Sequence, residues 1–199
     1  MNRVINVGIT GQRGFIGSHL FNFLRTKSNL IKLVLFKRDY FESDKSMQSF
    51  VSSCDVIVHT AAINRHNNHN KIYDTNMNLI NKLINACEVS NSNPKIIFLS
   101  SIQEKENNKY GKSKYDGRIL LENWAVKTNS QICSLIIPNV FGPFCEPNYN
   151  SFIATFCHKI IKNEEPKILS DSIINLIYIN ELTEISVSYT HLTLPTKRI

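Results

Sequence analysis

The stretch GITGQRGFIGSHL, residues 8–20, holds four of the chain's seven glycines: Gly8, Gly11, Gly14 and Gly17, each three apart. Glycine inside an element costs backbone entropy, so the cluster marks backbone that approaches a ligand or a tight turn. What surrounds it decides between these. Residues 3–9 (RVINVGI) form an apolar run that ends at the glycines, and Phe15, Ile16, Leu20, Phe23 and Leu24 then recur at helical spacing over 15–26. A glycine cluster closing a strand and opening a helix is the context of a dinucleotide fingerprint. Gly11 allows the turn, Gly14 lets backbone approach a pyrophosphate, and Gly17 lets helix pack on strand. The helix N-terminus then offers free N–H groups and the positive end of its dipole. Gly8 reads as a strand residue.

Outward from this unit, strand-like and helix-like stretches alternate. Strands are expected at 31–36 (IKLVLF), 55–61 (DVIVHTA), 95–100 (KIIFLS) and 132–137 (ICSLII), and helices at 72–89 and 110–127. Continuous apolar strands between amphipathic helices argue for an α/β, doubly wound parallel sheet covered on both faces. From 138 the pattern changes: Pro138, Pro143 and Pro147 punctuate a loop before a helix at 151–162 and a short strand at 174–179. The chain divides into a dinucleotide-binding domain, 1–137, and the start of a substrate-binding region, 138–186. The end, SVSYTHLTLPTKRI, lacks the periodicity of what precedes it, and 187–199 read as a non-native tail on a truncated chain. A substrate region cut after one strand is expected to expose apolar surface and to weaken solubility or cofactor binding.

The 199 residues are 42% hydrophobic and 20% charged, enough for a sizeable core. No apolar run approaches membrane-spanning length, and no signal peptide precedes the first strand, which points to the cytoplasm and away from membranes. Five cysteines without CxxC spacing read as reduced thiols. The formal charge of +7 is scattered, with no basic stripe, and suits small anions rather than nucleic acid. His66 and His69 sit in a polar loop without the cluster a metal needs, so no metal site is expected. His59 is read as a packed residue; His158 remains a candidate substrate contact.

At the end of the second strand, an acidic residue would accept from an adenosine 2′-hydroxyl, and an arginine would pair with a 2′-phosphate. The sequence there is Lys37-Arg38-Asp39, and Arg13 lies within the glycine loop. These cations favour NADP(H), while Asp39 leaves NAD(H) open. Tyr110 and Lys114, in KYGKSKYDG, share a helical face. An ammonium near a phenol favours the phenolate, so Lys114 is expected to bring the Tyr110 pKa down toward neutrality. Ser100 and Ser101 end the fourth strand, at the edge where ligands bind in such sheets.

Taken in order, TGQRGFIG (10–17), HTAA (59–62), Asn76, SS (100–101), YGKSK (110–114) and PNVFGP (138–143) resemble the extended short-chain dehydrogenase/reductase family. The resemblance covers roughly 4–185 and implies a Rossmann-type fold with an incomplete C-terminal substrate-binding part. It implies Tyr110, Lys114 and Ser101 as the catalytic set, with Lys114 on the nicotinamide ribose and Asn76 in a water relay behind it. Cofactor contacts would come from Gly11, Arg13, Gly14, Phe15, Ile16, Gly17, Lys37, Arg38, Ala61, Ala62, Asn76, Tyr110 and Lys114. Within the family, SSIQ (100–103), the short gap to Tyr110 and PNVFGPFCEPNYNSFIATFCHKI (138–160) look like the reductase part of capsular-polysaccharide enzymes acting on UDP-2-acetamido-2,6-dideoxy-hexos-4-uloses. A UDP-sugar would then meet Ser101, Gln103, Asn139, Asn148 and Asn150, although asparagines here also serve as turn formers. A homodimer through the 72–89 and 110–127 helices is the family's usual assembly.

Two departures stand out. Ile136 occupies a place where the family usually has arginine, and Ile102-Gln103 replaces the Asp-Glu pair that dehydratases use, which disfavours dehydration. NADP(H)-dependent keto-sugar reduction leads. An epimerase that retains NAD and a dinucleotide-sensing module without turnover remain as alternatives.

Overall fold

The structure, a computed structural model, describes residues 3–168 and 171–191. Five strands, β1 (Ile5–Thr10), β2 (Ile31–Val34), β3 (Val56–His59), β4 (Lys95–Ser101) and β5 (Ile132–Ile137), form one parallel sheet in the order β2-β1-β3-β4-β5. All pairs are parallel, with Val7 beside Val56, Val58 beside Ile97 and Ile97 beside Cys133. The order reverses direction between β1 and β3, which opens a crevice at the carboxyl ends of those two strands. The doubly wound sheet read from the apolar pattern is thus the observed one.

Strand alternation divides the core into two layers. Ile57, Ile96 and Phe98 pack with Phe50, Leu83, Leu121 and Trp124, beneath α2 (Asp44–Ser52), α3 (His69–Val89) and α4 (Lys109–Thr128). Val7, Ile9, Val58, Ile97 and Leu99 pack on the opposite face with Leu20 and Leu24 of α1 (Phe15–Arg25) and Val187 of α6 (Ile179–His191). Helix α2 has no counterpart in the periodicity reading. Its apolar residues Met47, Phe50 and Val51 are few, and it is capped by Ser43, which accepts from Ser46 N–H at 3.3 Å.

Beyond β5, the short strands β6 (Asn139–Phe141) and β7 (Leu176–Tyr178) pair in parallel, with α5 (Phe152–Ile161) between them. Ile160, Ile161 and Ile168 stand exposed on this part, and Ile173 fully so. Of the segment set apart as 187–199, residues 187–191 continue α6, with Val187 buried against the sheet. Residues 192–199 lie outside the described residues. Among the described residues no helix is long and apolar enough to cross a membrane.

Candidate active site

The glycine loop closes β1 over the crevice. Gly11 has φ +74°, a left-handed conformation that side chains rarely adopt, and a Cβ there would meet Thr60 Oγ1 at 2.8 Å and Ala61 backbone at 2.9 Å. The β1 and β3 loops therefore touch at Gly11, which places Ala61 beside it, while Ala62 follows as an exposed residue. A Cβ on Gly17 would overlap the Gly11 carbonyl oxygen, whereas one on Gly14 meets only that oxygen, at 3.3 Å. Gly14 N–H donates to Gly11 O at 2.9 Å, and α1 begins at Phe15 and Ile16 with neither a side-chain cap nor an acidic residue in its first turn. Helix N–H groups with no internal partner, a bare glycine cradle and no competing carboxylate fit the pyrophosphate of a dinucleotide. Gln12, which sequence reading passed over, accepts from Phe36 N–H at 3.1 Å and ties the loop to the end of β2.

At that end Arg13, Lys37, Arg38, Asp39 and Glu42 line an open depression of about 600 Å³. The three cations singled out from sequence converge there, and so does Asp39. Its chemistry suits the adenosine end of a dinucleotide, with guanidinium groups for a phosphate and a carboxylate for a hydroxyl.

Tyr110 lies in the first turn of α4, which Asn108 caps by accepting from Gly111 N–H at 2.7 Å. Lys114 follows one turn later, its Nζ 5.7 Å from the Tyr110 ring centroid and 5.0 Å from that of Phe98. The ammonium donates to Leu99 O at 2.8 Å. Here the structure corrects the sequence expectation. Burial, with a smaller contribution from Tyr149, pushes the Tyr110 phenol up to about 12 rather than down. Burial also lowers Lys114 to about 8, opposed by Glu104. Desolvation of both groups outweighs their mutual attraction, because the ammonium turns to a carbonyl rather than to the phenol oxygen.

Ser101, at the carboxyl end of β4, accepts from Gln103 N–H at 3.2 Å and caps a helical turn over Ile102–Lys105. Gln103 itself is exposed and accepts from Asn108 at 3.4 Å. Asn76 is buried on α3. Its side chain accepts from Ile63 N–H at 2.8 Å and donates to Ile63 O and Ser113 Oγ, both at 2.9 Å. Both amide protons are thereby committed, and Asn76 acts as a clamp between the β3–α3 loop and α4. His59 is packed as expected: it is buried, bonded to Thr10 Oγ1 at 2.8 Å, stacked on Phe98 and lowered by burial to about 3. His66 receives Asn68 N–H at 3.0 Å within its own loop.

The 143–150 loop folds against the β3–α3 loop. Arg65 donates to Asn148 O at 3.2 Å and lies over the Tyr149 ring, while Tyr149 donates to Asn64 Oδ1 at 2.8 Å. Asn139 donates to Asn150 O at 3.3 Å. Asn148 has φ +57°, the turn geometry that asparagine tolerates. Asn64 and Arg65 carry no local signal in the sequence, since their partners are more than eighty residues away. Glu104 and Arg118 form a buried ion pair beside Ser100, fourteen residues apart and on different elements, which sequence reading also passed over.

This doubly wound parallel sheet, with a glycine cradle at its switch point, defines a Rossmann-like fold class. The chain belongs to the NAD dependent epimerase/dehydratase family, whose model matches residues 7–189. It is 33% identical over 182 residues to a UDP-2-acetamido-2,6-beta-L-arabino-hexul-4-ose reductase of Pseudomonas aeruginosa, covering 89% of this chain and 47% of that protein. Among solved structures, the capsular polysaccharide assembling protein CapF of Staphylococcus aureus superposes with TM-score 0.75 at 28% identity, covering 98% of this chain and 52% of that one. A UDP-glucuronic acid 4-epimerase from Bacillus cereus, in complex with NAD, shares the fold with TM-score 0.85 at 19% identity, over 98% of this chain and 78% of that one. The chain thus spans about half the length of the reductase and of CapF.

Proposed function

We propose that this chain carries the cofactor-binding and catalytic part of an NADP(H)-dependent reductase of a UDP-4-keto-6-deoxy-N-acetyl-hexosamine, serving capsule or O-antigen biosynthesis. The observation that carries this reading is the 33% identity with a hexul-4-ose reductase over nearly the whole chain. The depression lined by Arg13, Lys37 and Arg38 supports the NADP(H) preference. In this reading 1–137 bind the dinucleotide and 138–186 begin the sugar site.

When bound, the dinucleotide supplies hydride to the keto carbon. Tyr110, kept protonated by its burial, donates a proton to the oxygen as it becomes an alkoxide. Ser101 hydrogen-bonds the same oxygen, and Lys114 holds the nicotinamide ribose. A phenol raised to about 12 stays fully protonated at neutral pH, the form a reductase needs at the start of its cycle. The alternative, an epimerase that retains NAD, is favoured by Asp39 in the same depression. In either case α3 and α4, already bridged by a Tyr73–Asp116 hydrogen bond of 2.7 Å, form the proposed dimer face.

Fluorescence titration of the chain with NADPH and NADH tests the reading. NADPH binding at least tenfold tighter, about 1.4 kcal/mol, is expected, with Arg38→Ala closing the gap. Equal or tighter NADH binding overturns the NADP(H) assignment. Net NADPH oxidation with a UDP-4-keto-sugar separates reductase from epimerase.

A further inference from the structure

The proposed chemistry leaves unused a charged cluster between β4 and α4. The side chains of Glu104 and Arg118 are 6% and 5% exposed. Arg118 grips the carboxylate through Nε at 3.0 Å and Nη2 at 2.9 Å, and Ser100 Oγ donates to it as well. The remaining Arg118 nitrogen, Nη1, donates to Glu122 at 3.2 Å, one turn further along α4. A buried ion pair is a weak source of stability, because desolvation offsets most of the attraction. The position of this one is more telling than its energy. Ser100 precedes Ser101 at the end of β4, Glu104 lies within the turn that Ser101 caps, and Arg118 lies one turn beyond Lys114. Against the same turn, the Gln103 carbonyl packs so closely on Gly111 that a Cβ at 111 would overlap it.

We propose that Glu104 is a positioning residue, which locks the carboxyl end of β4 onto α4 and so holds Ser101 in register with Tyr110 and Lys114. This rests on the reading of those three as the reactive set. The electrostatics agree with the geometry. Of the groups around the Lys114 ammonium, Phe98 and the Leu99 carbonyl come from β4, Tyr110 from its own helix, and His59 from β3. His59 is neutral above about 3, and Tyr110 is a neutral phenol. The Glu104 carboxylate is the anion that supports the protonated ammonium against burial.

The test uses the 199-residue chain labelled with 13Cε-lysine and 15N, with the Lys114 resonance assigned from Lys114→Arg. Glu104→Leu/Arg118→Met removes both charges together and is expected to melt close to wild type. Its Lys114 titration midpoint should fall as the supporting anion is lost, and the Ser101 amide resonance should move. If that pair fails to fold, Glu104→Gln, which keeps the volume and a hydrogen bond to Arg118, is read in the same way. An unchanged midpoint together with an unmoved Ser101 amide, in whichever of these variants folds, overturns the proposal. No dinucleotide enters this measurement, so failure of the wild type to bind NADPH bears on the functional reading alone.

Discussion

Gly14 and Gly17 look alike in sequence, yet the structure separates them, and a pair of alanine substitutions turns that into a measurement. Gly17→Ala forces a Cβ into the Gly11 carbonyl oxygen, a backbone atom that cannot swing away. Overpacking of that kind costs about 1–3 kcal/mol. In a chain of this size each kcal/mol lowers Tm by about 2–4 °C, so a drop on the order of 6 °C is expected. Gly14 has an ordinary extended backbone, φ −75° and ψ 171°, and its added Cβ meets only one oxygen, at 3.3 Å. Replacing glycine where alanine fits gains about 0.4–1 kcal/mol through the unfolded chain, which offsets that mild crowding. Gly14→Ala should therefore melt within about 3 °C of wild type. In the proposed reading its methyl group nevertheless fills the space where backbone would approach a pyrophosphate. Dinucleotide affinity, read by nicotinamide fluorescence, should fall tenfold or more. If Gly14→Ala binds as tightly as wild type, the cluster is a turn and not a phosphate cradle. If it melts as low as Gly17→Ala, Gly14 serves packing.

Three further outcomes follow from the same geometry. Tyr110→Phe should abolish turnover while leaving NADPH affinity within about threefold; loss of both would give Tyr110 a structural role instead. His59, with an ordinary pKa of 6.5 lowered to about 3, binds its proton in the unfolded chain but not in the folded one between those values. Stability from this group is thus complete above pH 6.5 and is lost as pH falls toward 3, on the order of 4 kcal/mol across the window. His59→Gln should flatten the fall of Tm below pH 6, and an unchanged slope would place the titrating group elsewhere. Asn76→Ala strips partners from Ile63 and Ser113 and should cost about 2–3 kcal/mol, with Tm lower by about 5–10 °C. A melt unchanged from wild type would show that the clamp carries no load.

The five parallel strands, α1, α3, α4 and the glycine fingerprint were legible in the sequence. Each rests on local periodicity or on the backbone geometry of adjacent residues, which a linear reading captures. β3 nevertheless ends at His59 rather than 61, and β2 at Val34 rather than 36. Both strands stop where the chain leaves its neighbour to form the crevice loops. Convergence of Arg13 with Lys37 and Arg38 was also legible, because a fingerprint loop and the end of the next strand always face each other across such a sheet.

Tertiary structure decided the rest. Helix α2 carries an apolar stripe, Met47, Phe50 and Val51, but in only nine residues, so the stripe is too short to announce a helix before its contacts with the core are known. Asn76 becomes a clamp because folding brings Ile63 and Ser113 to it from two other segments. The upward shift of Tyr110 and the downward shift of Lys114 both come mainly from burial. Spacing put these two residues on one helical face, where their charges were expected to set the pKa. How much water each retains depends on β4 and on the 143–150 loop packed around them, and desolvation is a property of the assembled fold that no run of residues encodes.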